Sequence, residues 1–179
     1  MRRFATLAVA VVLLTGQAVI AQDRGDVSAG YRFMQSDGLS YPSGWYVDAS
    51  GRLNDVISVV GDIGGVYKSD SVSLGTFTQK LDARIHTFVG GLRVSALTRN
   101  PDVVAFGQAL FGAATLKLRT TSGVITLSRS TTEPALNLSA GVDVNDLPVG
   151  LRFEIGWLRV FADEGSNAFH FTVGAKFGF

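Results

Sequence analysis

The residues best suited to chemistry are His170 and Thr172, two positions apart near the carboxyl end of the sequence. An imidazole beside a hydroxyl could supply the base and the nucleophile of an acyl hydrolase or acyltransferase. The pair has no assignable acid partner, however, and both side chains fall on the polar face of a predicted strand. The pattern therefore favours a polar residue at the rim of a hydrogen-bonded lumen over a catalytic base.

Four carboxylates of the polar rows, Asp48, Asp62, Asp143 and Glu154, could suggest acid–base catalysis, but cations lie in the same rows. Unpaired charges inside a protein are costly, so these groups are expected to pair with one another. The interior of a narrow barrel would require such pairing. The predicted lumen charge network is Arg32, Asp48, Arg52, Asp62, Arg93, Asp143, Arg152, Glu154 and Lys176.

No metal or cofactor site is predicted. The two histidines lie on separate segments without the spacing of metal ligands. Segment 69–71 offers one carboxylate, too few for a calcium loop, and the glycines of 61–65 are followed by no helix that could bind phosphate. The sequence contains no cysteine, so disulfides and thiolate ligands are excluded.

The elements that would position these residues are strands. In residues 169–179 every odd position is apolar and every even one is polar or glycine. This period of two predicts a strand with two unlike faces, and eleven residues suffice for a tilted strand to cross a bilayer. A closed barrel would remove the exposed edge that such a strand otherwise leaves.

The same alternation predicts eight strands in all, joined by connections that are alternately long and short. Eight antiparallel strands with this rhythm are typical of a bacterial membrane barrel. The predicted strands cover about residues 26–34, 45–53, 56–67, 83–96, 103–117, 136–144, 149–157 and 169–179. The predicted long connections are 35–43, 68–82, 118–134 and 161–167, and the short turns lie near Asn54, Asn100 and Asn145.

Two arrangements of the faces of such a barrel are possible. A soluble lipocalin-like barrel would turn its apolar rows inward around a ligand, whereas a membrane barrel turns them towards lipid. The polar rows are sparse for a surface in water and nearly balanced in charge, which favours the membrane orientation. Aromatic residues near the strand ends are then expected at the two membrane interfaces: Tyr31, Phe33, Trp45, Tyr67, Phe153 and Trp157.

The first 21 residues predict a cleavable signal peptide, with Arg2 and Arg3 ahead of an apolar stretch and small residues before Gln22. Residues 22–179 would then form a single barrel domain, and no later segment is apolar enough for a helical membrane span. The formal net charge of +1 includes both leader arginines. Without a basic excess, nucleic-acid binding is excluded.

Several segments resemble the small outer-membrane β-barrels of Gram-negative bacteria, the OmpA/OmpX-like domains of the porin superfamily. They are 26–31, 44–51, 59–65, 86–93, 106–113 and the closing 177–179. The resemblance implies a cell outer-membrane location, both termini in the periplasm, and contact with outer-membrane lipid and lipopolysaccharide. It also implies insertion by a periplasmic chaperone and the barrel assembly machinery. The corresponding assembly signal would be Phe171, Val173, Ala175, Phe177 and Phe179.

The resulting hypothesis is a monomeric, non-enzymatic outer-membrane barrel with a largely plugged polar lumen and a structural or surface-interaction role. Eight strands leave an interior that side chains can fill, and nine charged residues are expected there. The alternatives are a small-solute channel, a lipid-modifying enzyme and, with the opposite orientation, a secreted lipocalin-like carrier. Unlike OmpA, the sequence is expected to lack a domain that binds the cell wall.

Overall fold

The computed structural model describes residues 25–36, 39–74, 77–97, 102–122, 125–146, 149–162 and 165–179. The predicted signal peptide, residues 1–21, lies outside the described residues. Within these ranges no helix is long and apolar enough to cross a membrane. The strands are β1 Gly25–Ser36, β2 Leu39–Tyr41, β3 Ser43–Arg52, β4 Ile57–Leu74, β5 Phe77–Ser95, β6 Val103–Ser122, β7 Ile125–Val144, β8 Gly150–Val160 and β9 Ser166–Gly178.

All strands belong to one antiparallel sheet that closes on itself. Each strand from β3 onward pairs with the next, and β1 pairs with both β3 and β9. The β1–β9 ladder runs from Asp26 opposite Gly178 to Ser36 opposite Ala168. Because the first and last strands pair along eleven residues, neither of them leaves an unpaired edge in the barrel wall. This pairing accounts for the long alternating strand at the end of the sequence.

Strands β2 and β3 are one barrel strand that is interrupted at Pro42. Strand β1 pairs with both, through Tyr31 opposite Trp45 and Met34 opposite Tyr41, so three residues on one side face two on the other. This is a β-bulge, which proline tolerates because its ring nitrogen cannot donate to a ladder. Counted this way, the barrel has eight strands, and the predicted fold class is confirmed.

Alternation along each strand sends apolar side chains outward and polar ones inward. Phe88 is 56% exposed and Phe171 is 42% exposed, whereas Arg152 is completely buried. The lipocalin-like alternative required the opposite orientation and is wrong. Other large apolar side chains on the outer face include Val59, Ile63, Leu92, Phe111, Leu138, Ile155, Phe169 and Phe177.

Strands β4 to β7 are longer than the sequence pattern predicted. Segments 68–82 and 118–134 were expected to be loops, but they continue the ladders as two hairpins whose tips, 75–76 and 123–124, lie outside the described residues. The apolar alternation fades there because both faces leave the apolar band, while cross-strand polar pairs still support the ladder. Thr115 and Thr132, for example, share a 2.9 Å hydrogen bond.

Candidate functional site: the lumen and the projecting sheet

The lumen is filled by charged side chains near the end of the barrel that carries the short connections, here called the turn end. Arg152 lies at its centre. Its guanidinium donates to both oxygens of Asp143 at 2.7 and 2.8 Å, to Asp48 at 2.7 Å and to Asp26 at 2.9 Å. Asp143 and Arg152 face each other in the β7–β8 ladder, so the register of these two strands places the pair in contact.

Two further cations complete this ionic layer. Lys176 donates to Asp143 at 2.8 Å, and Arg93 lies 3.5 Å from Asp48 and 3.6 Å from Asp26. The guanidinium carbons of Arg93 and Arg152 lie 4.7 and 5.1 Å from the ring centroid of Phe106. An aromatic ring face attracts cations, so the buried phenyl ring contributes to holding both arginines in place.

A second ion pair lies farther along the lumen. Arg32 donates to both oxygens of Asp62, at 3.1 and 2.7 Å, in the paired geometry that suits a guanidinium and a carboxylate. Its guanidinium carbon also lies 5.3 Å from the ring centroid of Tyr46. Gly64 leaves room for this arrangement, since a Cβ there would lie 2.7 Å from Arg32 Nη1. The pair closes the lumen at mid-height.

Glu154 is the least well partnered of the buried carboxylates. One of its oxygens accepts from Gln108 at 3.1 Å, and the other has no hydrogen-bond partner among the described residues. Gln108 in turn accepts from Arg93 Nε at 2.9 Å, which links Glu154 to the ionic layer through an amide. Within the described lumen, four cations (Arg32, Arg93, Arg152, Lys176) thus face five carboxylates (Asp26, Asp48, Asp62, Asp143, Glu154).

His170 and Thr172 do point inward, and both are buried. His170 Nε2 lies 2.9 Å from Asn137 Oδ1, and its Nδ1 lies 3.3 Å from the Thr172 hydroxyl. Since a carbonyl oxygen only accepts, Nε2 carries the proton and Nδ1 accepts from Thr172. A Cβ on Gly156 would overlap the imidazole, so the glycine makes room for it. With Thr172 0% exposed, the hydroxyl has no route to a substrate.

The opposite end of the lumen, here called the hairpin end, is closed by apolar side chains. This apolar plug packs inside the barrel wall beneath the hairpins. Sequence reasoning missed it because an inward apolar residue breaks the rule that inward rows are polar. Its members are Met34, Tyr41, Val66, Ala83, Ala114, Ala135, Leu158 and Ala168, with Ile85 and Val160 packed against them.

The structure brings together eight of the nine residues of the predicted lumen network. The exception is Arg52, which was predicted to lie in the lumen but is exposed at the end of β3. Alternation along β3 from the inward-facing Asp48 would direct the Arg52 side chain into the lumen. The strand ends at Arg52, however, and the side chain leaves the enclosed space. Asp26, by contrast, was not predicted to lie in the lumen. It lies on the same face of β1 as Ser28 and Arg32, so alternation along the strand could have identified it.

The predicted interfacial aromatics lie on the outer face. Tyr31, Trp45 and Phe153 are between 39% and 43% exposed. Trp45 donates its indole N–H to the Tyr67 hydroxyl at 2.9 Å. Phe33, Tyr67 and Trp157 are half-buried, as are Val173 and Ala175, whereas Phe171, Phe177 and Phe179 of the same outward row are exposed.

Above the closed barrel, β4 to β7 continue as a four-stranded projecting sheet formed by residues 68–74, 77–83, 113–122 and 125–134. Its two outer strands pair on one side only among the described residues. The β3–β4 ladder ends at Tyr67, and the β7–β8 ladder begins at Ala135. The projecting sheet therefore has two open backbone edges, 68–74 and 125–134.

Pro134 marks the place where the barrel stops enclosing β7. Its carbonyl oxygen accepts from the Phe161 N–H at 2.9 Å, so its backbone polar groups face β8. On that side proline has no N–H to donate, which favours an end to the ladder. A local sequence feature thus separates the closed barrel from the open edge.

Together, an apolar outer face, a lumen filled by ion pairs and eight closed antiparallel strands define a small membrane-spanning β-barrel. Solved structures with a similar fold include the following three. Ail, the attachment invasion locus protein of Yersinia pestis, in complex with the heparin analogue sucrose octasulfate, is 19% identical over 86% of this chain and 97% of that chain, with a TM-score of 0.59. Neisserial surface protein A is 16% identical over 87% and 96%, with a TM-score of 0.57.

The third structure is the outer membrane protease OmpT from Escherichia coli, 10% identical over 87% of this chain and 96% of that chain, with a TM-score of 0.51. No protein-family model matches the sequence, and no curated protein sequence matches it. At these identities the likeness establishes the fold, and the predicted resemblance to small outer-membrane barrels is confirmed at that level. Because one of the three is a protease, the fold itself does not decide between enzyme and non-enzyme.

Proposed function

We propose that this protein is an integral outer-membrane barrel that holds the projecting sheet at the cell surface for contact with other proteins. The carrying observation is the pair of open edges, 68–74 and 125–134, above a closed barrel. An open edge presents unpaired N–H and C=O groups to which an extended segment of a partner can add as a further strand. The filled lumen gives the sheet a rigid base.

Two observations support the membrane placement. The outer face carries large exposed apolar side chains such as Phe88, Phe111 and Ile155, which lipid accommodates and water does not. One structural neighbour, OmpT from Escherichia coli, is an outer membrane protease. In this placement the turn end faces the periplasm, and the hairpins face outward.

The barrel acts without catalysis and without passing solutes. His170 has both ring nitrogens engaged, and the buried Thr172 offers no substrate access. The ionic layer, the Arg32–Asp62 pair and the apolar plug lie in series along the lumen. Planar-bilayer recording of the purified protein tests this: the expected trace lacks steady single-channel steps, and large steady steps would restore the channel hypothesis.

The orientation can be tested directly because the chain lacks cysteine. Ser128→Cys places a single thiol on the projecting sheet, and Asp146→Cys places one in an exposed turn at the opposite end. A membrane-impermeant maleimide should label Ser128→Cys on intact cells, and Asp146→Cys only after the outer membrane is opened. Labelling of Asp146→Cys on intact cells, or of neither variant before opening, would contradict the proposed placement.

The backbone direction of the β7 edge follows from Pro134. Its polar groups face β8, so residues at even positions, including Ser128 and Ser130, direct their N–H and C=O groups to the open side. Odd positions such as Arg129 bond to β6 instead. Proline at an even position therefore removes a donor from the open edge while leaving the β6 ladder intact.

This difference allows a test of strand addition. The probe is a fluorescent peptide with the sequence of residues 113–122, the natural antiparallel neighbour of 125–134. It should bind the purified barrel, and Ser128→Pro with Ser130→Pro should weaken its binding at least tenfold in fluorescence anisotropy. The matched control is Ser128→Ala with Ser130→Ala, which keeps both donors. Equal binding by the proline and alanine variants would remove the open edge as the contact surface.

Insertion of the barrel is proposed to use a periplasmic chaperone and the barrel assembly machinery. These proteins would recognise the outward-facing side chains of the last strand, which end at Phe177 and Phe179. Both phenylalanines are more than half exposed on the outer face, where such machinery could contact them. The folded protein would act as a monomer surrounded by lipid and lipopolysaccharide. Removal of both aromatic rings by Phe177→Ala and Phe179→Ala should lower the amount of heat-modifiable barrel in the outer-membrane fraction.

A further inference from the structure

Two cations lie directly opposite each other on the outer face of adjacent strands. Arg84 on β5 is the register partner of Lys117 on β6, and both are exposed. They lie on the same faces of β5 and β6 as Phe88 and Phe111, which point outward. Like charges in this arrangement destabilise a sheet, so the pair calls for an explanation other than stability.

The surroundings supply little neutralising charge. Asp82 is the nearest carboxylate on this face by register, but it lies opposite Arg119 and accepts from the Ser69 hydroxyl. Neither Arg84 nor Lys117 forms a hydrogen bond or an ion pair with the described side chains. Among the described side chains, this part of the outer face therefore presents three cations (Arg84, Lys117 and Arg119) and one carboxylate (Asp82).

The height of this cationic group is informative. Along β5 the outward row passes from the apolar Phe88 through His86 to Arg84, which lies about 13 Å farther along the tilted strand at about 3.3 Å per residue. At the same level, the Tyr67 ring packs edge-on against His86 with centroids 5.8 Å apart, and Trp45 donates to the Tyr67 hydroxyl. Amphipathic aromatic side chains of this kind mark the boundary between hydrocarbon and head groups.

We propose that Arg84 and Lys117, with Arg119 beside them, bind a phosphate group of a glycolipid in the outer leaflet. Arginine can donate two parallel hydrogen bonds to a phosphate, and lysine adds a compact positive charge. A bound phosphate would also relieve the repulsion between the two cations. This inference rests on the proposed outer-membrane function and adds a lipid site to it.

The test uses the purified full-length barrel in neutral detergent with fluorescent lipid A as the probe, in its phosphorylated and dephosphorylated forms. The wild-type protein should bind the phosphorylated form at least tenfold more tightly. Arg84→Ala with Lys117→Ala should abolish this difference, whereas Arg84→Lys with Lys117→Arg should retain most of it. Lys68→Ala, a cation on the other face, is the matched control and should bind like the wild type.

Equal binding of phosphorylated lipid A by the wild type and the double alanine variant would overturn the site. So would a preference for a soluble polyanion, tested with dextran sulfate, over phosphorylated lipid A. The double alanine variant should also melt at the same temperature as the wild type or higher in the absence of lipid A, since it removes a repulsion. Because binding is measured on purified protein, its failure is distinguishable from a failure of the cysteine-labelling experiment on cells.

Discussion

The two ends of the lumen are closed by different chemistry. At the turn end, Arg152 joins three carboxylates from three strands within 2.9 Å. At the hairpin end, buried apolar side chains pack together, among them Leu158 and Met34. Both ends exclude solute, but they differ in what the loss of a single side chain leaves behind. An ion pair leaves an uncompensated buried charge, whereas an apolar plug leaves a cavity.

The largest effect is expected at the ionic layer. Arg152→Ala leaves Asp48 and Asp143 without their main cation and should lower the free energy of unfolding by about 3–5 kcal/mol, as for other broken buried pairs. Denaturant unfolding of the refolded barrel in detergent micelles measures this. The control is Arg52→Ala, which removes an exposed arginine and should change stability by less than about 0.5 kcal/mol. Similar losses in both variants would contradict the special position of Arg152.

The apolar end should respond somewhat less. Leu158→Ala opens a cavity in the plug and should cost about 2–4 kcal/mol, within the usual range for a buried leucine. It should not create a conducting pore, because the ionic layer and the Arg32–Asp62 pair still block the lumen. Single-channel steps in this variant would show that the apolar plug alone closes the barrel.

Replacement of an entire ion pair sharpens the comparison. Arg32→Met alone strands Asp62 and should cost about 3 kcal/mol, whereas Arg32→Met with Asp62→Leu should lie within about 1 kcal/mol of the wild type. Both are measured by the same unfolding experiment. If the double variant is as unstable as the single one, the pair contributes something that apolar packing cannot replace, such as its contact with Tyr46.

The smallest effect is expected at Glu154. The substitution Glu154→Gln keeps the shape and the acceptor for Gln108 while removing a charge that has no direct ion-pair partner among the described residues. The free energy of unfolding should change by no more than about 1 kcal/mol, in contrast to Asp143→Asn, which breaks bonds to Arg152 and Lys176. A loss of several kcal/mol on Glu154→Gln would show that its charge is required.

Much of the fold could be predicted because alternation is strict where one face meets the apolar surroundings. Strand β9 and the β8 row from Leu151 to Ile155 show it clearly, and inward placement of Arg93 gave the correct faces of β5. The strand lengths could not be predicted. Beyond the apolar band both faces of β6 and β7 carry polar residues, so the period disappears although backbone pairing continues.

The site was partly predictable for a related reason. Alternation along each strand predicted that Arg152 and Asp143 point inward, but only the register of β7 and β8 shows that they face each other. Alternation was insufficient for Arg52, because a side chain at a strand end can leave the lumen. The plug and the cationic group on the outer face depend on cross-strand neighbours, which a single sequence does not reveal.

The projecting sheet rises from only half of the rim, since β8, β9 and β1 end low while β4 to β7 continue. The molecule consequently has a front and a back within the plane of the membrane. Another barrel that settles against the low half leaves both edges of the sheet accessible, whereas one that settles against β5 and β6 covers Arg84 and Lys117. Crowding in the bilayer would thus decide which surface remains available, without any movement inside the barrel.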